Sequence, residues 1–160
     1  MNVGSDPGPY QVVPFDITGN GQVSYAFRLT PNNGDPDGIR QSVPLRGGVS
    51  YNFDLDAAQT LDTGNNGGAT VVRIDVGSTN VASLDFTPFG DISTGQVFRG
   101  HLHGVFLAPT NGLYDMKVLI YRSWGAFSAL WGVVDNLKIS PAGLQPATNS
   151  PVVFTNGVWA

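Results

Sequence analysis

The sequence predicts an all-β domain, a two-sheet antiparallel β-sandwich, and three observations point there. Charged residues make up 12% of the 160 positions, about half the usual share, and helices want more Lys, Glu and Arg than that on their exposed faces. The chain holds 21 glycines and 11 prolines, which suits short strands joined by tight turns. Apolar residues also recur at every second position in stretch after stretch, with turn signals about every 8–12 residues and one polar face per strand.

Taken in order, residues 1–9 read as a flexible lead-in, with Met1 resembling an expression start placed before a polar stretch. Val13, Phe15 and Ile17 alternate in a first strand that Pro14 confines to an edge or a bulge. After the turn Thr18-Gly19-Asn20-Gly21, the residues Val23, Tyr25, Phe27 and Leu29 mark a half-buried strand. A polar loop through Asp37-Gly38 leads to Ile39, Gln41, Val43 and Leu45. The strongest alternation follows, Val49, Tyr51, Phe53, Leu55 and Ala57 against Ser50, Asn52, Asp54 and Asp56.

Val72, Ile74 and Val76 then oppose Arg73 and Asp75, and Gly77-Ser78-Thr79-Asn80 turns into a second arm from Val81 to Phe86. Phe98, Leu102 and Phe106 share a parity with Gly100 and Gly104, leaving Arg99, His101 and His103 on the other face. Tyr114, Met116, Val118 and Ile120 oppose Asp115, Lys117, Leu119 and Tyr121. A small-residue and aromatic loop, Ser123 to Ala129, precedes a last strand, Trp131 to Ser140. Period 2 puts Trp131, Val133, Asp135, Leu137 and Ile139 on one core-facing side of that strand. The sandwich is expected over residues 10–140, with a linker and an apolar tail over residues 141–160.

At this length one domain buries a sizeable core without disulfides, and there is no Cys to form one. The formal net charge is −4 and Lys/Arg form no cluster, so no nucleic-acid partner is expected. No apolar run approaches the roughly 18 residues of a membrane-spanning helix. No phosphate loop, nucleophile elbow or Ser/His/Asp order marks an enzyme, and none is expected. His101 and His103 point the same way, but no third ligand stands beside them in sequence, and two solvated side chains are the expectation.

Three segments carry a resemblance. Ile39-Arg40-Gln41-Ser42-Val43-Pro44-Leu45 followed by Gly48 to Leu55 is similar to an "I-x-Q-x-V-x-L … G-x-x-Y-x-F" core. Phe106-Leu107-Ala108-Pro109-Thr110-Asn111-Gly112-Leu113-Tyr114 is similar to "F-x-A-P-x-x-G-x-Y", and Val134-Asp135-Asn136-Leu137-Lys138-Ile139 to a closing "I-D-N-V-x-L" strand. Together, over about residues 22–140, they resemble the galactose-binding-like jelly rolls among non-catalytic carbohydrate-binding modules, such as families 4, 9 and 22. The family's usual Asn-Gly-x-Phe-Glu opening is missing, with Phe15-Asp16 a loose stand-in.

The resemblance implies a secreted bacterial module, monomeric, that binds an oligosaccharide or polysaccharide and targets an attached catalytic domain to it. A structural or adhesive β-sandwich domain of an exported surface protein, with no sugar site, is the alternative. The resemblance also implies a structural Ca²⁺ with Asp135 as carboxylate ligand, and Asp16 as a second. A carboxylate among large apolar residues asks for a cation or donors in any case. For the sugar, which needs aromatic platforms and planar polar side chains, two sites are open. The polar parity offers Arg73, Asp75, Arg99, His101, Lys117 and the platform Tyr121; the aromatic loop offers Trp124 with Arg122 as donor.

Overall fold

The computed structural model of the chain describes residues 2–3, 10–31, 36–64, 68–124 and 130–143. Within them run β1 (Asn2–Val3), β2 (Tyr10–Phe15), β3 (Ser24–Leu29), β4 (Asp37–Leu45) and β5 (Ser50–Leu61). Then come β6 (Ala69–Val76), β7 (Thr79–Asp85), a 3-10 turn at Thr87–Phe89, β8 (Val97–Leu107), β9 (Gly112–Trp124) and β10 (Leu130–Pro141). Sheet A has the order β1-β4-β9-β6-β7, and sheet B the order β2-β3-β10-β5-β8. Neighbouring strands are antiparallel in both. With the edge strands β1 and β2 set aside, β3 to β10 divide as β3-β10-β5-β8 and β4-β9-β6-β7, the two Greek keys of a jelly roll. Asn2 and Val3 pair with Ile39 and Gly38, inside the stretch expected as a lead-in. The expected apolar tail lies outside the described residues.

The main core fills the space between the sheets, and alternation decides who enters it. Tyr51, Phe53 and Leu55 from β5, Val72, Ile74 and Val76 from β6, Leu102 and Phe106 from β8, and Met116, Val118 and Ile120 from β9 are all buried there. Each large apolar side chain removed from water in this way contributes about 1.5–3 kcal/mol. The most deeply buried amide is paired at both ends. Gln59, 0% exposed, donates from Nε2 to the Gly68 carbonyl at 3.0 Å and accepts at Oε1 from the Thr70 N–H at 2.7 Å. It thereby ties β5 of one sheet to β6 of the other.

The expected single core face of β10 is wrong. Pairing with β5 shifts register between Asp135 and Lys138, and Asn136 adopts φ 56°, a β-bulge with a non-glycine residue in the left-handed region. Before the bulge, Trp131 and Val133 face outward from sheet B, and Val134 looks into the main core. After it, Leu137 and Ile139 pack against the main core. One inserted residue exchanges the faces of the strand. Asp135 therefore lies half-buried on the outer face of sheet B, opposite Asp56.

That outer face carries a second, smaller core of Ile17, Ala26, Ala58, Trp131 and Val133, with Phe15 and Val97 packed against it. The Trp131 indole N–H donates to Asp62 at 2.7 Å, and the Arg28 guanidinium lies 4.0 Å from the ring centroid. Ile17, in the β2–β3 connection, is only 3% exposed, so its burial presses this connection down onto sheet B.

The sandwich closes at one side edge and opens at the other. A Cβ on Gly104 of β8 would collide with the Val81 carbonyl of β7; glycine lets the two sheets meet there. At the other edge, Pro14 lies in β2, which among the described residues pairs with β3 alone, as expected of a proline in a sheet. Tyr10, Val12 and Tyr25 remain exposed beside it, Tyr25 at 76%.

Candidate functional site

The outer face of sheet B gathers the planar polar side chains. Asp54 and Asp56 stand two apart on β5, and His101 and His103 two apart on β8, so each pair shares a face. Antiparallel register sets Asp54 opposite His103 and Asp56 opposite His101, and on the other flank Lys138 and Asp135 of β10 oppose the same two carboxylates. His101 lies between both acids, with Nδ1 2.8 Å from Asp56 Oδ1 and Nε2 3.2 Å from Asp54 Oδ1. His103 Nδ1 is 2.8 Å from that same Asp54 oxygen.

The hydrogen bond to Asp56 raises the His101 pKa above 6.5, against the cost of desolvation and with help from Asp54. Desolvation disfavours ionised Asp54, yet the hydrogen bonds from His103 and His101 outweigh it and hold its pKa below 3.8. The β10 bulge aims Asn136 into the same ladder, where Nδ2 donates to Asp56 Oδ2 at 2.9 Å.

A cleft of ≈ 480 Å³ adjoins the ladder, lined by Ile17, Thr18, Asn20, Gln22, Val23, Ser24 and Asn136. Its wall is the β2–β3 connection, shaped by Asp16. One carboxylate oxygen accepts from the N–H groups of Gly19 and Asn20, and the other from Gly21 at 2.8 Å. The bond from Gly21 works most strongly to lower the Asp16 pKa, ahead of an opposing desolvation effect. Arg99 braces the wall by donating to the Asp16 carbonyl through Nε and Nη2 at 3.3 and 3.0 Å. Amides and hydroxyls beside two aliphatic side chains make a lining matched to a polyhydroxylated ligand with apolar C–H faces.

The expectation of one polar face holding Arg73, Asp75, Arg99, His101, Lys117 and Tyr121 is corrected, because the six divide between the two sheets. Arg99 and His101 belong to sheet B. Arg73, Asp75, Lys117 and Tyr121 stand on β6 and β9 of sheet A, on the far side of the molecule. There they are largely satisfied by one another. Arg73 pairs with Asp75 at 2.8 Å and lies 6.0 Å over the Tyr121 ring, and Lys117 approaches Asp115 at 3.6 Å. Arg122 is opposite Thr70, on the reverse side of β9 from Tyr121, with a buried Nε that has no hydrogen-bond partner. Trp124 ends β9 opposite Ala69; residues 125–129, the body of the proposed loop-tip site, lie outside the described residues.

The two carboxylates that the resemblance implied as Ca²⁺ ligands both have protein donors. Asp16 is occupied by three backbone N–H groups, and Asp135 accepts from the Ser24 hydroxyl and the Asn136 N–H. Among the described residues no group of three or more His, Cys, Asp or Glu side chains is arranged to hold a metal ion.

Sequence reasoning missed Asn20, Gln22, Ser24 and Asn136. The last had a signal, an Asp-Asn pair inside a strand, where both residue types tolerate left-handed backbone. Asp54 and Asp56 were visible by parity as outward carboxylates but had no partner in sequence to mark them.

No protein-family model matches the chain, and no curated protein matches it. Solved structures do resemble it. One holds the CBM22-1 and GH10 modules of Clostridium thermocellum endo-1,4-beta-D-xylanase 10B complexed with xylohexaose. It is 16% identical, with 96% of this chain and 27% of that one covered at a TM-score of 0.54. The EclA C-terminal domain, a sugar-binding protein, is 14% identical, with 79% and 89% covered at 0.50. A Stig cyclase, FisC, from Fischerella sp. TAU is 18% identical, with 88% and 74% covered at 0.48, too loose a likeness to bear on function. At these identities the likeness is one of fold: the chain is a β-jelly-roll sandwich.

Proposed function

We propose that this chain is a non-catalytic carbohydrate-binding domain whose site is the outer face of sheet B. One observation carries the reading. The His101/Asp54/Asp56/Asn136 ladder opens onto a cleft lined by amides, hydroxyls and aliphatic groups. Carboxylates, imidazoles and amides take sugar hydroxyls in pairs, while the exposed Val23 offers apolar surface to ring C–H groups. The fold supports the same reading, since carbohydrate-binding modules share it. We further propose that the module belongs to a secreted bacterial protein and raises the local concentration of an attached catalytic domain at a polysaccharide.

Affinity electrophoresis in gels containing soluble xylan, β-glucan or polygalacturonate tests this. The protein is expected to be retarded in at least one gel, and Asp56→Ala and Asn136→Ala to remove the retardation while Tyr121→Ala leaves it in place. Loss with Tyr121→Ala instead would move the site to sheet A. Free migration in all three gels would leave a structural or adhesive sandwich as the better reading.

A further inference from the structure

We propose that His101 is a proton-operated gate on the sheet B site. As an imidazolium it holds Asp54 and Asp56 closed against ligand; as a neutral ring it releases one of them to a sugar hydroxyl. The inference rests on the reading of this face as a sugar site and adds its regulation.

The geometry supplies the argument. Both ring nitrogens of His101 lie within hydrogen-bond distance of carboxylate oxygens, 2.8 Å to Asp56 and 3.2 Å to Asp54. An ionised carboxylate only accepts, and a neutral imidazole has a single N–H. In the neutral ring one of these contacts would set a nitrogen lone pair against a carboxylate oxygen. Both contacts are favourable only with both nitrogens protonated, so the arrangement is that of an imidazolium. The side chain is 54% exposed, so its proton exchanges directly with solvent.

The surrounding charges agree with such a clamp. Asp54 and Asp56 face His101 from β5, and Asp135 and Lys138 oppose those two from β10. His103 and Arg99 flank it on β8, and Arg99 is engaged with the β2–β3 connection. Asp54 is already shared with His103. Asp56 is instead held by His101 and Asn136, and Asn136 lines the cleft. When the His101 proton leaves to water, Asp54 keeps His103 while His101 retains one partner and drops the other. Where the partner dropped is Asp56, the freed Oδ1 belongs to the carboxylate that Asn136, a residue of the cleft wall, holds by its other oxygen. The raised His101 pKa places this change above 6.5.

Retardation in the same polysaccharide gels, run at about pH 5.5 and about pH 8.5, reads the gate, because one charge-assisted hydrogen bond lost from the ligand costs about tenfold or more in affinity. The wild type is expected to bind about tenfold more tightly at the higher pH, and His101→Gln, with no titrating ring, to bind alike at both. Equal retardation of the wild type at the two pH values would overturn the gate and leave sugar binding standing. Free migration at both would overturn the sugar reading and the gate with it. A second measurement needs no ligand: the ¹⁵N shifts of the His101 ring should show both nitrogens protonated at the lower pH and titrate above 6.5. A midpoint at or below that value would overturn the gate even if sugar binds.

Discussion

Gln59 shows how a single residue can tie two sheets together. Its amide is fully buried and satisfied at both ends by Gly68 and Thr70. Gln59→Leu keeps most of the volume but strands the Thr70 N–H and the Gly68 carbonyl, a loss of about 1–3 kcal/mol. The midpoint of urea unfolding should fall accordingly, and an unchanged midpoint would show that water replaces the amide. His101 and Asp54 act at the same scale through pH. The Asp54 pKa is lowered in the fold, so its contribution is present above 3.8 and disappears as pH falls through the folded value. The His101 pKa is raised, so its contribution is complete below 6.5 and disappears as pH rises through the folded value. Both are present between those two limits. Tm is expected to peak in that mildly acidic window, with a modest amplitude because the ring is half exposed, and His101→Gln should flatten the decline on the alkaline side.

Among the elements, β10 separates what alternation can tell from what it cannot. Strands β5 and β9 were legible because one parity is apolar and the other polar over most of their length. In β10 both parities are buried from Leu130 to Val134, because the small outer core buries Trp131 and Val133 while Val134 enters the main one. With apolar residues on both faces, nothing in the spacing reveals that the faces exchange at Asn136. The site was divided for a related reason. Parity tells which side of a strand a residue occupies, never which sheet the strand joins, and the jelly roll sends β8 and β9 to opposite sheets. The bulge makes a sharp prediction. Asn136→Val forces a β-branched residue to φ 56° and should destabilise by about 1–3 kcal/mol. Asn136→Gly accepts that backbone and loses only the bond to Asp56. Equal losses from the two variants, compared by thermal melting, would mean that the side-chain bond matters more than the backbone.

At the scale of the whole molecule, stability comes from one large core between the sheets and two small clusters, one outside sheet B and one around Leu61, Ile92 and Leu130, without disulfides. Because Asp16 and Asp135 already have donors, excess EDTA is expected to leave Tm unchanged. A fall on chelation would show that the native state binds an ion, since a ligand held only by the folded form must raise stability.

The open edge bears on how the molecule meets its own copies. Among the described residues, strand β2 has a neighbouring strand on one side alone, with Tyr10, Val12 and Tyr25 exposed nearby, the combination on which sheets extend from one molecule to the next. Pairing with β3 continues past Pro14, so the missing N–H falls on the free side, and an incoming strand would lack a rung in the middle of its ladder. The proline that confines the first strand to an edge thus also guards that edge against polymerisation. Restoring that N–H with Pro14→Val should leave the fold intact and make concentrated solutions of the protein scatter light.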